Sequence, residues 1–462
     1  MQERHDLARS RTEVAESGAA TAFAAARRRA LDGADLGAFV ALAEPADSAD
    51  AIRSAGPAGA PGTGALAGIP FAVKDNIDTE QLTTGAGTPA LRASRPGRDH
   101  PAVARLRDAG AAVLGKTNMH ELAFGITSNN AACGPVRNPI DPGRSAGGSS
   151  GGSAVAVATG AVPFALGTDT GGSVRLPSAY CGVVGFRPTV GRWGDGRRCV
   201  PLSPTRDTVG VSAWTVADVA LIDTVITGHR DDRRAPQRLR LGVPRKGFHD
   251  DLDLDVAAVT ARALDRLADA GVELVDIDFS QAHPVDAECG FPIVLYEVAR
   301  ELPRYLASLP GPERDLTAAD VLARVASRDV AELLGAALAG AYTEEQYRAA
   351  LEIRDVLRGA YRAALSGEQP IDALVYPTSP ILPPPLGDDT VTAFRGREVP
   401  VFATVARNTL PGSAAGMPSI TLPAGTAPSG LPVGLSLESL PHSDGRLLAV
   451  AGTVEGLLAV TG

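Results

Sequence analysis

The chain has 462 residues, 44% of them hydrophobic and 21% charged, with a net charge of −9. That is apolar material for two or three ordinary domains or for one large α/β unit. The acidic balance and an aromatic content of only 4% argue against a polyanionic partner and against stacking platforms for nucleic acid.

The 51 glycines and 35 prolines cluster between apolar segments, a pattern of many tight turns. Cys133, Cys181, Cys199 and Cys289 lie far apart with no CxxC pair, so neither a disulfide framework nor a structural zinc site is expected. The first residues, MQERHDLARSRTEVAESG, are charged where a signal peptide is apolar. No apolar run reaches the ~18 residues of a membrane span, so a cytoplasmic protein without membrane contact is expected.

In chain order, residues 8–45 are rich in Ala, Leu, Arg and Glu and predict two or so helices outside the main sheet, with a break at Gly33. Residues 53–65 read as loop, and 69–73 as a short buried strand ending at Lys74. Pro101–Asp108 predicts a helix opened by proline, closed by Gly110 and followed by a strand at 111–114. The rhythm repeats as a small-residue helix at 153–159 and a strand at 162–166. After a polar stretch at 228–237, the pattern predicts a strand at 239–243, a helix at 253–270 and a strand at 272–277. Residues 284–366 read as mostly helical. A strand at 371–376 then runs into a proline-rich loop, and 417–440 holds two strands joined by a glycine-rich turn.

Three motif matches fail on context. GAAVLGKT at 110–117 fits GxxxxGK[ST], but a phosphate loop leaves a strand and enters a helix, whereas AAVL suits a buried strand that follows one. GGSSG at 147–151 fits GxSxG, yet the preceding DPGRSA is loop. None of His229, His249, His283 and His442 lies in a segment that singles it out as a partner. His120-Glu121 opens like HExxH, but position 124 is phenylalanine.

Two glycine-serine blocks remain, GGSSGGSA at 147–154 and GTDTGGSVRLPS at 167–178. Successive glycines let backbone amides converge on an anion or a developing oxyanion. A serine there can act as nucleophile if a base takes its proton, and neither block contains histidine. Lys74 is the candidate base, because burial at a strand end disfavours its charged form. The same residues can also be read as a surface lysine or an Asp75 partner, and the blocks as phosphate sites or plain turns.

At these residues the chain resembles the amidase signature family. The resemblance runs through GIPFAVKDNI from Gly68, GAAVLGKTNMHELAFG, both serine blocks and GLPVGLSLE, covering roughly residues 65–460. It implies an α/β fold, the amidase signature fold, with a large mixed central β-sheet covered by helices on both faces. Residues 66–462 would form a single catalytic domain with a mostly helical insertion at about 284–366, and residues 1–65 a helical segment packed on it. The resemblance implies a triad of Lys74, Ser149 preceded by a cis peptide bond, and the nucleophile Ser173. It gives the amides of Thr170, Gly171, Gly172 and Ser173 to an oxyanion site. Asp169 and Arg175 are expected as an ion pair holding the nucleophile loop. No metal or organic cofactor is implied.

Within the family, GTPALRA at 87–93, residues 115–139, RDTVG at 206–210 and residues 407–425 are similar to indoleacetamide and mandelamide hydrolases. That implies a small aryl-substituted primary amide as substrate, in a mainly apolar pocket. The 120–130 segment, the loop after Tyr376 and the loop near residue 408 are expected to line it. Aliphatic amides, aryl acylamides, esters and carbamates are alternative substrates. A transferase subunit delivering ammonia inside a tRNA-binding complex is an alternative role, although that subunit usually carries an acidic residue where this chain has His120. A non-catalytic binding protein is opposed by the intact triad. No nucleic-acid or membrane partner is implied, and a homodimer is compatible with the resemblance.

Overall fold

The computed structural model describes residues 4–45, 64–229, 236–367 and 369–459. Most of the expected loop at 53–65 and of the polar stretch at 228–237 lies outside these residues. Two helices open the chain, α1 (Leu7–Ser17) and α2 (Ala19–Asp32). The Asp6 side chain caps α1 by accepting the Arg9 amide at 3.0 Å. The next element, β1 (Phe39–Leu42), pairs antiparallel with a strand of the main sheet. Residues 8–45 therefore do not all lie outside the sheet. A four-residue edge strand with no fully buried position carries too short a pattern to be read from sequence.

The first half continues with β2 (Pro70–Lys74), α3 (Pro101–Asp108), β3 (Ala112–Thr117), α4 (Gly151–Ala158), β4 (Phe164–Asp169), α5 (Arg175–Cys181), β5 (Val184–Arg187), β6 (Thr208–Ala213) and α6 (Val216–Thr227). Pro101 opens α3, where its missing N–H costs nothing, and the His100 ring accepts the Ala102 amide at 3.1 Å. The GAAVLGKT segment is strand β3, entered from helix α3. Its Lys116 is buried and donates to the Ile77 carbonyl at 2.5 Å and the Thr84 hydroxyl at 3.1 Å. The strand outruns its expected end because Gly115, Lys116 and Thr117 pair with Ala72, Val73 and Lys74 of β2.

The second half holds β7 (Arg240–Val243), α7 (Leu254–Asp269), β8 (Glu273–Asp276), α8 (Ala282–Ser308), α9 (Arg328–Leu338), α10 (Glu344–Ser366), β9 (Ala373–Pro377), β10 (Ser419–Thr426), β11 (Pro432–Glu438) and α11 (Asp444–Ala459). Both halves join one 11-stranded sheet in the order β1-β3-β2-β4-β6-β5-β10-β11-β9-β7-β8. Strand β2 runs parallel to β3 and β4. From β4 to β9 neighbours are antiparallel, and β9, β7 and β8 are parallel again. This is the large mixed sheet flanked by helices that the sequence implies.

Strand alternation sorts residues between two apolar clusters. Phe71 and Val73 of β2 join residues of α3, α6, α7 and α11 in one cluster. Ala72, between them, joins α2 and α4 in another. The second cluster is built from small side chains, which lets α4 approach the backbone closely. A Cβ on Gly152 would stand 2.4 Å from the Ala38 carbonyl oxygen and 2.5 Å from that of Asn118.

The His120-Glu121 pair ties the helical insertion to this core. His120 Nε2 lies 2.9 Å from Asp329 of α9, and the Glu121 carboxylate accepts the amides of Ala326 at 3.1 Å and Ser327 at 2.7 Å. Among the described residues no helix is long and apolar enough to cross a membrane, and no cluster of His, Cys, Asp and Glu is arranged to hold a metal. The four cysteines are free thiols.

Gly152→Ala forces a methyl into backbone atoms that cannot yield, so it is expected to destabilise the fold by about 1–3 kcal/mol. A lowered midpoint in thermal or denaturant unfolding checks this; an unchanged midpoint rejects the close-approach argument.

Candidate active site

The two serine blocks meet at the end of β2. Lys74, the last residue of that strand, is completely buried. Its Nζ lies 2.8 Å from Ser149 Oγ and 2.8 Å from Thr168 Oγ1, and Thr168 also accepts from Asn76 Nδ2 at 3.1 Å. The Gly148–Ser149 peptide bond is cis. Backbone contacts stitch the blocks together: the Ser150 amide donates to the Ser173 carbonyl at 3.1 Å, and the Ser150 hydroxyl to the Thr168 carbonyl at 3.1 Å. The Ser149 and Ser173 hydroxyls do not hydrogen-bond to each other. Ser173 opens instead on a cavity.

Neither bland reading of Lys74 fits this geometry. The lysine is not at the surface, and Asp75 turns away to accept the Gly87 amide at 2.9 Å. Burial pushes the Lys74 ammonium down from its ordinary value to about 7, against the opposing pull of Asp169, Cys199 and Asp207. Near neutrality an appreciable share of the amine is uncharged and able to accept a proton.

Asp169 and Arg175 form the expected ion pair, and a second arginine joins them. Arg175 donates through Nε to Asp169 Oδ2 and through Nη2 to Oδ1, both at 3.0 Å. Arg187 Nη1 reaches Oδ1 at 3.1 Å. Burial alone would raise the carboxyl, but the two guanidiniums hold it well below the usual carboxylate range. Arg175 extends to Ser413 Oγ at 2.6 Å.

The same carboxylate takes up one amide of the expected oxyanion site. The Gly172 amide donates to Asp169 Oδ1 at 2.8 Å, so it is committed to the turn of the loop. The amides of Thr170, Gly171 and Ser173 have no acceptor among the described residues. Thr170 sends its hydroxyl to Asp207 at 2.5 Å, and its carbonyl accepts Arg206 Nε at 3.2 Å. Glycine is required at 172, where φ is +125° and a Cβ would meet Thr409 Oγ1 at 2.3 Å.

The cavity over Ser173 measures about 300 Å³. Ala123–Ile126 and the Arg407 and Leu410 region line it, two of the three segments expected. The loop after Tyr376 contributes no lining residue. It is held elsewhere, because the Ser145 amide donates to the Pro384 carbonyl at 3.0 Å and Arg144 to that of Pro383 at 2.6 Å. One face of α8 takes its place, with Asp286, Gly290, Phe291 and Val294 at helical spacing. The sequence reading predicts helix here without assigning a face. It also gives no role to Asn76 or Thr168, although both stand inside the quoted blocks, and nothing in the sequence marks Arg187.

One mixed sheet carrying a buried lysine on a serine, with a second serine opening on an apolar cavity, is the framework of an α/β enzyme for small organic substrates. The amidase family model matches residues 25–448. The chain is 42% identical over 395 residues to an indoleacetamide hydrolase of Agrobacterium vitis, spanning 84% of this chain and 83% of that protein. It is 38% identical over 453 residues to a mandelamide hydrolase of Pseudomonas putida, spanning 93% and 86%. A crystal structure of an amidase superposes with a TM-score of 0.85 at 34% identity, covering 98% of this chain and 99% of that one. The peptide amidase of Stenotrophomonas maltophilia does so with a TM-score of 0.80 at 30% identity, covering 98% and 96%. The chain belongs to the amidase family. It is a hydrolase of the amidase signature type acting on amides, related to enzymes that hydrolyse aryl amides.

Asp169→Asn keeps the shape of the side chain but removes the carboxylate that Arg175 and Arg187 share, leaving Glu438 at 3.6 Å from Arg175 and backbone carbonyls around Arg187. Breaking a buried ion pair in this way is expected to destabilise the fold by about 3–5 kcal/mol. Denaturant unfolding of the variant beside wild type measures it, and a loss within error of zero would show that the cluster does not hold the loop.

Proposed function

We propose that this amidase cleaves small, aryl-substituted primary amides of the arylacetamide type to a carboxylate and ammonia, through an acyl-enzyme on Ser173. The observation that carries the reading is the 2.8 Å contact of Lys74 Nζ with Ser149 Oγ, made by an amine whose pKa is about 7. The mainly apolar cavity over Ser173 supports an aryl acyl group, as does the likeness to indoleacetamide and mandelamide hydrolases.

In this mechanism Ser173 Oγ attacks the amide carbonyl carbon and passes its proton to Ser149, whose own proton moves to neutral Lys74. The step needs a Ser149–Ser173 hydrogen bond, which the free enzyme leaves unmade. Catalytic hydrogen bonds of free enzymes are often long and tighten with substrate in place. The oxyanion is met by amides of Thr170, Gly171 and Ser173, each such donor contributing about 3–4 kcal/mol to the transition state. As the C–N bond breaks, the Lys74 ammonium returns its proton through Ser149 to the leaving nitrogen and ammonia departs. Water then attacks the ester, giving its proton to the same relay, and the carboxylate leaves as Ser173 regains its hydrogen.

Ser173→Ala is expected to abolish acyl-enzyme formation, and Lys74→Ala to be nearly as damaging because both serines then keep their protons. Ser149→Ala leaves binding largely intact and slows acylation. The losses are strongly non-additive, since the three act as a unit. Labelling with a serine-directed phosphonate and peptide mass spectrometry locates the nucleophile; an adduct on Ser149, Ser150 or a cysteine, with Ser173→Ala still active, overturns the assignment.

The working form of Lys74 is the free amine, which predominates above its pKa of about 7 and gives way to ammonium below it. kcat/KM should therefore rise with pH through a midpoint near 7 and fall about tenfold per unit on the acid side. A profile flat from pH 5.5 to 8 removes Lys74 as base. Across a panel followed by ammonia release, indole- and phenylacetamides should exceed acetamide and malonamide in kcat/KM; preference for malonamide or a long-chain amide rejects the substrate class.

A further inference from the structure

The face that α8 turns to the cavity is small or apolar at Gly290, Phe291 and Val294, but one turn earlier it carries Asp286. That carboxyl is only 7% exposed, and its Oδ1 has no hydrogen-bond partner. The nearest cation does not satisfy it. Arg206 is itself buried and directs Nε to the Thr170 carbonyl and Nη1 to the Gly290 carbonyl, both at 3.2 Å, and it makes no ion pair with Asp286. The other arginine of the cavity, Arg407, directs Nη2 to the Asp250 carbonyl at 2.5 Å and Nη1 to that of Asp251 at 3.4 Å. Burial pushes the Asp286 carboxyl up to about 6 while Arg206 pulls the other way, so above that pH it is mainly an acceptor-only carboxylate.

A buried acceptor left without a donor costs about 1–3 kcal/mol, more when it is charged, and an orphan of this kind in a native structure needs an explanation. Oδ1 is closed off, but Oδ2 of the same carboxylate also accepts no hydrogen bond and is not closed off, so at its position on the substrate cavity a donor can arrive on the substrate. We propose that Asp286 accepts a hydrogen bond from an N–H or O–H on the aryl ring of the acyl group, so that the cavity selects donor-bearing rings over plain hydrocarbon ones. The inference rests on the arylacetamide reading and narrows it. His283, one turn before Asp286, also borders the cavity and has no partner at Nε2. It packs on Phe248 at 4.4 Å between ring centroids, and burial pushes its pKa down to about 4. A neutral imidazole can give or accept a hydrogen bond and so does not discriminate; a carboxylate only accepts.

The test compares indole-3-acetamide with 1-benzothiophene-3-acetamide, in which sulfur replaces the ring N–H with little change of shape. A site built to bond a donor penalises the analogue lacking it, because its own polar group is then left unpaired. Wild type is expected to favour the indole by about tenfold or more in kcat/KM. Asp286→Leu should bring the ratio close to one, chiefly by slowing the indole, and Asp286→Asn, which keeps an acceptor oxygen, should retain part of it. Each ratio is taken on one preparation and is independent of the fraction folded; if Asp286→Leu does not fold, the wild-type and Asp286→Asn ratios decide. A wild-type ratio near one with both amides turned over well overturns this inference and leaves the arylacetamide reading standing. A drop by the same factor on both substrates in Asp286→Leu also overturns it, because it marks a structural role. Hydrolysis of neither bicyclic amide, with malonamide accepted, overturns the arylacetamide reading and this inference with it.

Discussion

Asp169 lies fully buried at the end of β4 with both carboxylate oxygens occupied, and the geometry of the Ser173 loop follows from that. Its partners are Arg175 at the far end of the loop, Arg187 on β5, and the amides of Gly172 and Val174 between them. Taking such charges out of water costs several kcal/mol per ion, and only near-complete hydrogen bonding offsets it. Any other path for residues 170–174 would leave one of these groups unpaired in the core. Arg187 carries the constraint further, donating to the Met417 carbonyl at 3.3 Å and the Arg206 carbonyl at 2.7 Å. Segments distant in sequence are thereby fixed to the loop on which Ser173 stands.

The electrostatics of Lys74 depend on the same cluster. A lone buried carboxylate at Asp169 would favour the ammonium, and Asp169 does pull in that direction. Asp169 is paired with Arg175 and Arg187, and Arg175 also faces Glu438 at 3.6 Å, so the pull of Asp169 on a nearby ammonium is offset within the cluster. Burial then prevails, and the amine titrates near neutrality. Lys116 makes an instructive contrast. It is equally buried on the adjacent strand, but it binds the Ile77 carbonyl and feels Asp75 and Asp78, so it serves the framework. What separates the two lysines is the partner set: the Ser149 and Thr168 hydroxyls alone for one, a backbone carbonyl beside threonine hydroxyls for the other.

Much of this was legible in the sequence where the pattern is local. Pro101–Asp108 is a helix with its expected bounds, because proline at the first position and apolar residues at helical spacing agree. The strand ending at Lys74 and the paired strands β10 and β11 follow from apolar runs bounded by glycine and proline. What escaped the reading depends on tertiary neighbours. β1 is a strand only because the edge of β3 is there to receive it. The commitment of the Gly172 amide to Asp169 is a matter of loop geometry, which spacing does not encode. Nor does spacing show that the loop after Tyr376 is held against Arg144 and Ser145 while α8 occupies the wall of the cavity.

The division between sheet and inserted helices gives these differences a common cause. Lys74, Thr168, Ser149 and Ser173 stand on strands or on loops bonded to them, where a shift of a few tenths of an ångström breaks a hydrogen bond. The wall formed by α8 packs on that frame through two apolar clusters, one joining Leu295, Val298 and Leu302 to Leu122, Phe124 and Val200, the other joining Cys289 and Ile293 to Leu374 and Tyr376. The helices beyond it are tied by the His120–Asp329 pair and the Glu121 carboxylate on the Ala326 and Ser327 amides. Such an attachment fixes the position of the insertion without dictating what its inner face displays. None of residues 286, 290, 291 and 294 hydrogen-bonds to Lys74 or Ser149, so on the proposed mechanism they can change with the acyl group while the proton relay stays as it is. Function is set by sites placed on a fold more than by the fold itself, and on the proposed reading the reacting groups and the selecting groups of this chain sit on separate parts of it.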